Sequence, residues 1–164
     1  MASLPDSPPL APESVRDYPR PPRIEPVPQA IRVEFAGRVL AETRRARRII
    51  ETNSPPSYYV PALDVRRECL VPARHHTLCE WKGRADYWDV ASGDRRATLA
   101  AWSYPRPRPA FEEIAGYFAF YAQAVDHCFV GEEEVIPQPG RYYGGWITAN
   151  LTGPFKGVPG SEAW

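Results

Sequence analysis

The sequence predicts a mainly β fold assembled from many short elements, and three observations carry that expectation. First, the 164 residues include 20 prolines, and proline neither donates within a central sheet nor fits inside a helix. Second, several short runs alternate apolar and polar residues with a period of two, the pattern of half-buried strands. Third, turn residues punctuate those runs, at Ala36-Gly37 and at Ser92-Gly93-Asp94, where hairpins reverse.

Residues 1–30 hold about half of the prolines. They read as an extended arm of polyproline character, free or wrapped onto the body through Tyr18, Ile24 and Val27. The folded domain is expected over residues 31–137. Ile31-Arg-Val-Glu-Phe and Arg38-Val-Leu-Ala flank the Ala36-Gly37 turn as a hairpin. Arg44-Arg-Ala-Arg-Arg leads into a third strand at Ile49-Ile50-Glu51. No aromatic platform is interleaved with these arginines, and Glu42 and Glu51 flank them, so a solvated strand face is expected. Asn53-Ser-Pro-Pro reads as a turn and Ser57-Tyr-Tyr-Val-Pro as a short extended piece. Asp64 is placed to cap a helical turn, and Cys69-Leu-Val-Pro to close the connector. Strands follow from Thr77, over Ala85–Val90, and from Arg96 to Trp102, where Tyr87 and Asp89 should share one face and Trp88 and Val90 the other.

Residues 110–130 carry two signals. Ile114, Tyr117 or Phe118, Tyr121, Val125 and Cys128 fall at helical spacing. Gly116 and the run Tyr-Phe-Ala-Phe-Tyr suit a strand instead. Residues 138–164, rich in glycine and proline, read as a tail packed on the domain.

Composition excludes several function classes. Twenty basic residues balance twenty acidic ones, which argues against a general nucleic-acid or membrane-surface binder. No apolar run approaches a membrane span, and the N-terminus has no signal-peptide character. Cys69, Cys79 and Cys128 form no CxxC pair. The odd count points to a reducing, cytoplasmic home and to no metal site.

Four motifs occur in order: Glu51-Thr with Pro55-Pro-x-Tyr-Tyr-x-Pro; Thr77-x-Cys-x-x-Lys-Gly-x-Ala-x-Tyr-Trp; Ala101-Trp-Ser-Tyr-Pro-x-Pro; and Ala119-Phe-Tyr-x-x-x-Val-Asp. With them the chain resembles, over roughly residues 31–137, the family catalogued as domain of unknown function 427, which sometimes carries a nucleotidyltransferase-type label. The resemblance implies two antiparallel sheets meeting like a tent, a shape also seen in B-type methionine sulfoxide reductases and in the thalidomide-binding domain of cereblon. It implies a short helix near 110–116 followed by a strand. Many tent-fold proteins carry zinc on two CxxC pairs, which this chain lacks. Nucleotidyl transfer needs paired acids and metal ions against a triphosphate; Asp86 and Asp89 are three apart on a strand, and no glycine-rich phosphate loop is present.

Aromatic residues crowd the motifs. Trp and Tyr carry polar handles that are costly to bury alone, so part of the set is expected to wall a pocket and part to fill a core. The pocket expectation names Tyr59, Trp81, Trp88, Trp102, Tyr104 and Tyr121 as walls, with Glu51 and Lys82 orienting a small planar or cationic ligand. Lys82 is one of only two lysines, and on its turn with Gly83 it could also hold a carboxylate or phosphate. A second expectation is an enzyme using Cys79 as nucleophile or redox thiol with His76 as base. A third is an interaction module whose arm docks a partner or a second copy of the chain. No cofactor is indicated.

Overall fold

The computed structural model of the protein describes residues 7–140 and 143–164. In chain order its strands are β1 (Glu13–Ser14), β2 (Arg23–Pro26), β3 (Ile31–Phe35), β4 (Arg38–Thr43), β5 (Arg47–Glu51) and β6 (Ser54–Tyr59). Then come β7 (Leu70–Cys79), β8 (Gly83–Ser92), β9 (Arg95–Ser103), β10 (Phe118–Phe120) and β11 (His127–Val130). The short strands β12 (Glu133–Glu134), β13 (Ile136–Pro137), β14 (Trp146–Ile147) and β15 (Leu151–Thr152) end the series. The fold is mainly β, as expected. Two four-stranded antiparallel sheets, ordered β10-β9-β8-β7 and β12-β11-β3-β4, form its bulk. A three-stranded sheet β2-β5-β6 and the pairs β13-β14 and β1-β15 stand beside them, the last pair parallel. No helix among the described residues is long and apolar enough to cross a membrane.

The β3–β4 hairpin turns on Ala36 and Gly37, both at positive φ, the geometry that matches the twist of the flanking strands. Asp126 accepts the Ala36 N–H at 2.8 Å and holds that turn. The β8–β9 hairpin turns at Gly93, also at positive φ.

Several local expectations are corrected. Only Asn53 turns, at φ 68°, and Ser54–Tyr59 is strand β6. Its prolines are tolerated because β6 is the edge of its sheet and its register with β5 shifts between Ile49 and Glu51, where Pro55 and Pro56 fall. Strand β7 begins at Leu70 rather than Thr77, so Leu70–Pro72 is strand and not connector. Asp64 ends a 3-10 turn, Ala62–Asp64, instead of capping one; its carboxylate accepts from Thr43 Oγ1 at 2.7 Å and from Arg45. The helix over 110–116 is a 3-10 segment, Pro109–Ile114. Gly116 at φ 74° then breaks the chain direction, and β10 follows.

Residues 13–26 supply β1 and β2 and pair with β15 and β5. Residues 1–6 lie outside the described residues. Tyr18 and Val27 are buried. Arg48, expected on a solvated face, bonds Glu13 at 2.9 Å and Glu25 at 2.7 Å and fastens this segment to β5. Both carboxyls lie below their ordinary range: burial pushes them up, and hydrogen bonds from arginine, with the Tyr18 phenol at Glu13, outweigh it.

The apolar interior divides into two main clusters on opposite faces of β8, β9 and β10. Val90, Ala101, Phe118 and Phe120 join the larger one with Ile31, Val33 and Val130. Ala85, Trp102 and Ala119 join a smaller, aromatic one with Tyr59, Tyr104 and Phe111.

The C-terminal segment completes both clusters. Trp146 is 1 % exposed, stacks on Tyr58 with centroids 5.1 Å apart and donates its indole N–H to the Phe120 carbonyl at 3.0 Å. Trp146→Ala is expected to destabilise the protein by about 3–5 kcal/mol, read as a lowered urea midpoint. Gly144 lies against Trp102 so closely that an added Cβ would stand 2.2 Å from its Cη2. Gly144→Ala must displace that ring or the segment, a cost of about 1–3 kcal/mol, and thermal unfolding measures it; an unchanged melting temperature would mean the segment does not pack there.

Candidate functional site

The aromatic cluster encloses a cavity of about 180 Å³. Its walls come from four places in the chain. Strand β6 ends on Tyr59, and β5 contributes Ile49 and Glu51. The hairpin places Tyr87 of β8 opposite Trp102 of β9, and Tyr104 lies two residues further along the same face. Tyr121 follows β10, and its N–H donates to the Ala100 carbonyl at 2.9 Å.

These rings are packed at specific angles. Trp102 meets Tyr59 edge-on at 6.1 Å and lies tilted against Tyr121 at 4.6 Å. Its indole N–H donates to the Tyr59 hydroxyl at 3.3 Å. Tyr59 and Tyr104 are 6.4 Å apart. Burial drives the Tyr104 and Tyr121 phenols far above the ordinary tyrosine range, and the neighbouring tyrosines add to it. Both are neutral hydrogen-bonding groups at any physiological pH.

Lys82 supplies the charge. It sits in the β7–β8 turn, where Arg108 N–H donates to its carbonyl at 2.9 Å and Gly83 takes φ 107°. That φ is open to glycine and strained for other residues. The side chain enters the cavity lining, with Nζ 5.8 Å from the centre of the Tyr104 ring. The residue is partly accessible through the cavity, while protein surrounds the charge on its other sides. Beyond the Tyr104 ring, its ammonium has no hydrogen bond or ion pair among the described residues. Burial disfavours its charge. Attraction to Tyr59, Cys79, Glu51 and Tyr87 outweighs that and lifts its pKa above the usual lysine value.

Glu51 is nearby but engaged, its carboxylate lying 3.5 Å from the Arg20 guanidinium. The remaining wall belongs to the C-terminal segment: Gln138, Tyr143, Gly144 and Gly145. Gln138 accepts the Gly145 N–H at 3.0 Å and donates to the Lys156 carbonyl at 2.8 Å, which holds the wall in place.

Six of the eight expected ligand-binding residues thus line one cavity: Glu51, Tyr59, Lys82, Trp102, Tyr104 and Tyr121. Trp81 packs against the aromatic cluster outside the lining. Trp88 lies on the other face of the hairpin. It meets Phe118 edge-on at 5.4 Å and donates to Ser103 Oγ at 3.0 Å. The reason is the pleat: Tyr87 and Trp88 are adjacent on a strand and cannot face the same side. Tyr87 was readable by the same rule, since it shares a face with Ala85. The closing residues of the C-terminal segment carry no local signal of their place.

Cys79 is half-buried at the end of β7, opposite Gly83. His76 is three residues away on the same strand and opposes Asp86. Strand alternation sets the two on opposite faces, and the His76 ring lies 3.3 Å from Arg84 instead. The structure does not bring thiol and imidazole together as nucleophile and base. Asp86 pairs with Arg84 at 3.2 Å, and Asp89 with Arg96 at 2.8 Å. Among the described residues no three His, Cys, Asp or Glu side chains converge as metal ligands would.

A search of curated proteins finds no match to the chain. A family model does match, over residues 23–131, a span that contains all four motifs, the Lys82 turn and every aromatic residue of the cavity except Tyr143. The chain belongs to the family described as domain of unknown function, DUF427.

Proposed function

We propose that the protein binds a small planar molecule bearing an anionic group, with the ring held among Tyr59, Trp102, Tyr104 and Tyr121 and the anion on Lys82. The observation that carries this reading is the Lys82 ammonium, facing an aromatic cavity without a hydrogen-bonding or ionic partner among the described residues. Attraction from its surroundings keeps Lys82 charged but gives it no direct bond, and a ligand carboxylate or phosphate supplies one. Flat aromatic walls favour a flat occupant through offset and edge-on contacts. Size favours a compact one: the cavity of about 180 Å³ falls below the roughly 300 Å³ at which drug-sized pockets begin.

A cationic occupant has weaker support. Among the described residues the one carboxylate in the lining, Glu51, already faces Arg20, so the local balance is positive. An enzyme built on Cys79 would need a base other than His76.

Benzoate is the simplest probe. Its binding should shift the side-chain resonances of Trp102 and quench tryptophan fluorescence. Lys82→Met should weaken it by about 1.5–3 kcal/mol, the value of a hydrogen bond to a charged group, which is roughly tenfold to a hundredfold in Kd. Undiminished binding in that variant would sink the proposal.

The pH dependence follows from the sign of the lysine shift. A pKa raised above the ordinary 10.5 keeps Lys82 charged from acid through neutral pH and releases the proton only above that value. A carboxylate probe is ionised above about pH 4.3. Affinity should therefore be level between pH 6 and 9 and fall only as pH rises past the lysine value. Calorimetric titrations at several pH values test this, and a decline already between pH 6 and 8 would contradict it.

A further inference from the structure

A second, larger hollow of about 630 Å³ adjoins the cavity. Tyr87 and Tyr121 line both, their rings stacked with centroids 6.5 Å apart. The two spaces therefore meet at these two side chains.

The lining of this outer hollow differs in kind. Its other residues are His75, Thr77, Thr98, Leu99, Gln123 and Ala124, with no Asp, Glu, Lys or Arg among them. The Thr98 hydroxyl is exposed and has no partner among the described residues. Gln123 uses its amide N–H on the Tyr143 carbonyl at 3.3 Å and leaves its Oε1 available. His75 stands edge-on to Tyr87 at 4.8 Å, adding an aromatic surface.

Leu99 is held there against its backbone preference. Its φ is 51°, a region that bulky residues avoid. The N–H of Leu99 donates to Asp89 Oδ1 at 2.8 Å, and Arg96 fixes the other oxygen of that carboxylate at 2.8 Å. Asp89 is only 6 % exposed. A buried, bonded carboxylate thus imposes a strained backbone that leaves a leucine 37 % exposed in the hollow. Strain of this kind, over-determined by its surroundings, concentrates at functional sites.

From these features we infer that the hollow is the outer half of one bipartite site and takes a neutral, hydroxylated ring, so that the ligand class is an aryl acid glycoside. The inference rests on the cavity reading above for the acid-bearing ring. Hydroxyl groups of a sugar match Thr98 and Gln123, and its C–H faces match aromatic rings and Leu99. A charged extension finds no Asp, Glu, Lys or Arg among the described residues of the lining. The bond joining the two rings would lie at Tyr87 and Tyr121.

The test compares two ligands of the full chain by calorimetry: 4-methoxybenzoate and 4-carboxyphenyl β-D-glucoside. They present the same acid and the same para oxygen and differ only in the sugar. The inference expects the glucoside to bind about tenfold more tightly, about 1.4 kcal/mol. It also expects Thr98→Val to lower the glucoside's affinity more than that of methoxybenzoate, closing the gap. If methoxybenzoate binds and the glucoside binds equally or more weakly, the outer site is wrong and the cavity reading stands. If the gap survives both Thr98→Val and Gln123→Ala, the outer site is likewise wrong. If neither ligand binds, the cavity reading itself fails.

Discussion

Neighbouring residues on β8, β9 and β10 face different interiors, and the rest of the molecule is arranged around that fact. A pleated strand sends successive side chains to opposite sides. In β10, Phe118 and Phe120 enter the larger cluster while Ala119 enters the aromatic one. In β8 and β9, Trp88 opposes Ala101 and Tyr87 opposes Trp102. One sheet therefore serves a dry core on one face and a polar cavity on the other. A slip of one residue would exchange the two, placing Tyr87 where Trp88 packs on Phe118 and Trp88 where the cavity lies. The shared register is what lets a fold of short strands keep a lysine-bearing hollow next to its main core.

Electrostatics then decides what that hollow can hold. Tyr104 and Tyr121 stay neutral because burial disfavours phenolate. They can donate or accept hydrogen bonds without adding charge. Among the described residues the formal charges of the lining are Lys82 and Glu51, and Arg20 lies against Glu51. Lys82 has aromatic faces around it and, among the described residues, the Tyr104 ring as its cation–π contact. A cation–π contact contributes about 0.5–2 kcal/mol, less than the desolvation of an ammonium, which amounts to several kcal/mol. Attraction to Tyr59, Cys79, Glu51 and Tyr87 makes up the difference.

The sequence made the sheet-building elements legible wherever turn chemistry and alternation agreed. The hairpins at Ala36-Gly37 and Ser92-Gly93-Asp94 belong to that group. It misled where one rule was applied without its exception. Pro55 and Pro56 read as a turn, although an edge strand with an irregular register accepts proline. Leu70–Pro72 read as connector and the strand only from Thr77, because the stretch between them is polar and carries two histidines. For the site, composition gave six lining residues and missed the geometry that sorts them. Trp88 followed from the same alternation that was already apparent for Tyr87, Asp89 and Val90, given that Val90 is core. Gln138, Tyr143 and Gly145 could not be found this way. Their place depends on long-range packing of a glycine-rich segment, in which Trp146 is the anchor and Gly144 the point of closest approach.

That division of labour has a consequence for selectivity. The aromatic walls and Lys82 lie within the region that defines the family, residues 23–131. The closing wall of Gln138, Tyr143, Gly144 and Gly145 lies beyond it, as does Arg20, which answers Glu51. A chain with the same motifs but another closing segment would keep the lysine and the tryptophan while changing the cavity's depth. Without an arginine at position 20, Glu51 would be free to pair with Lys82 or with a cationic group, and the proposed preference for an anion would weaken. The motifs thus set the chemistry of the cavity, and the two flanking segments set its charge balance and its shape.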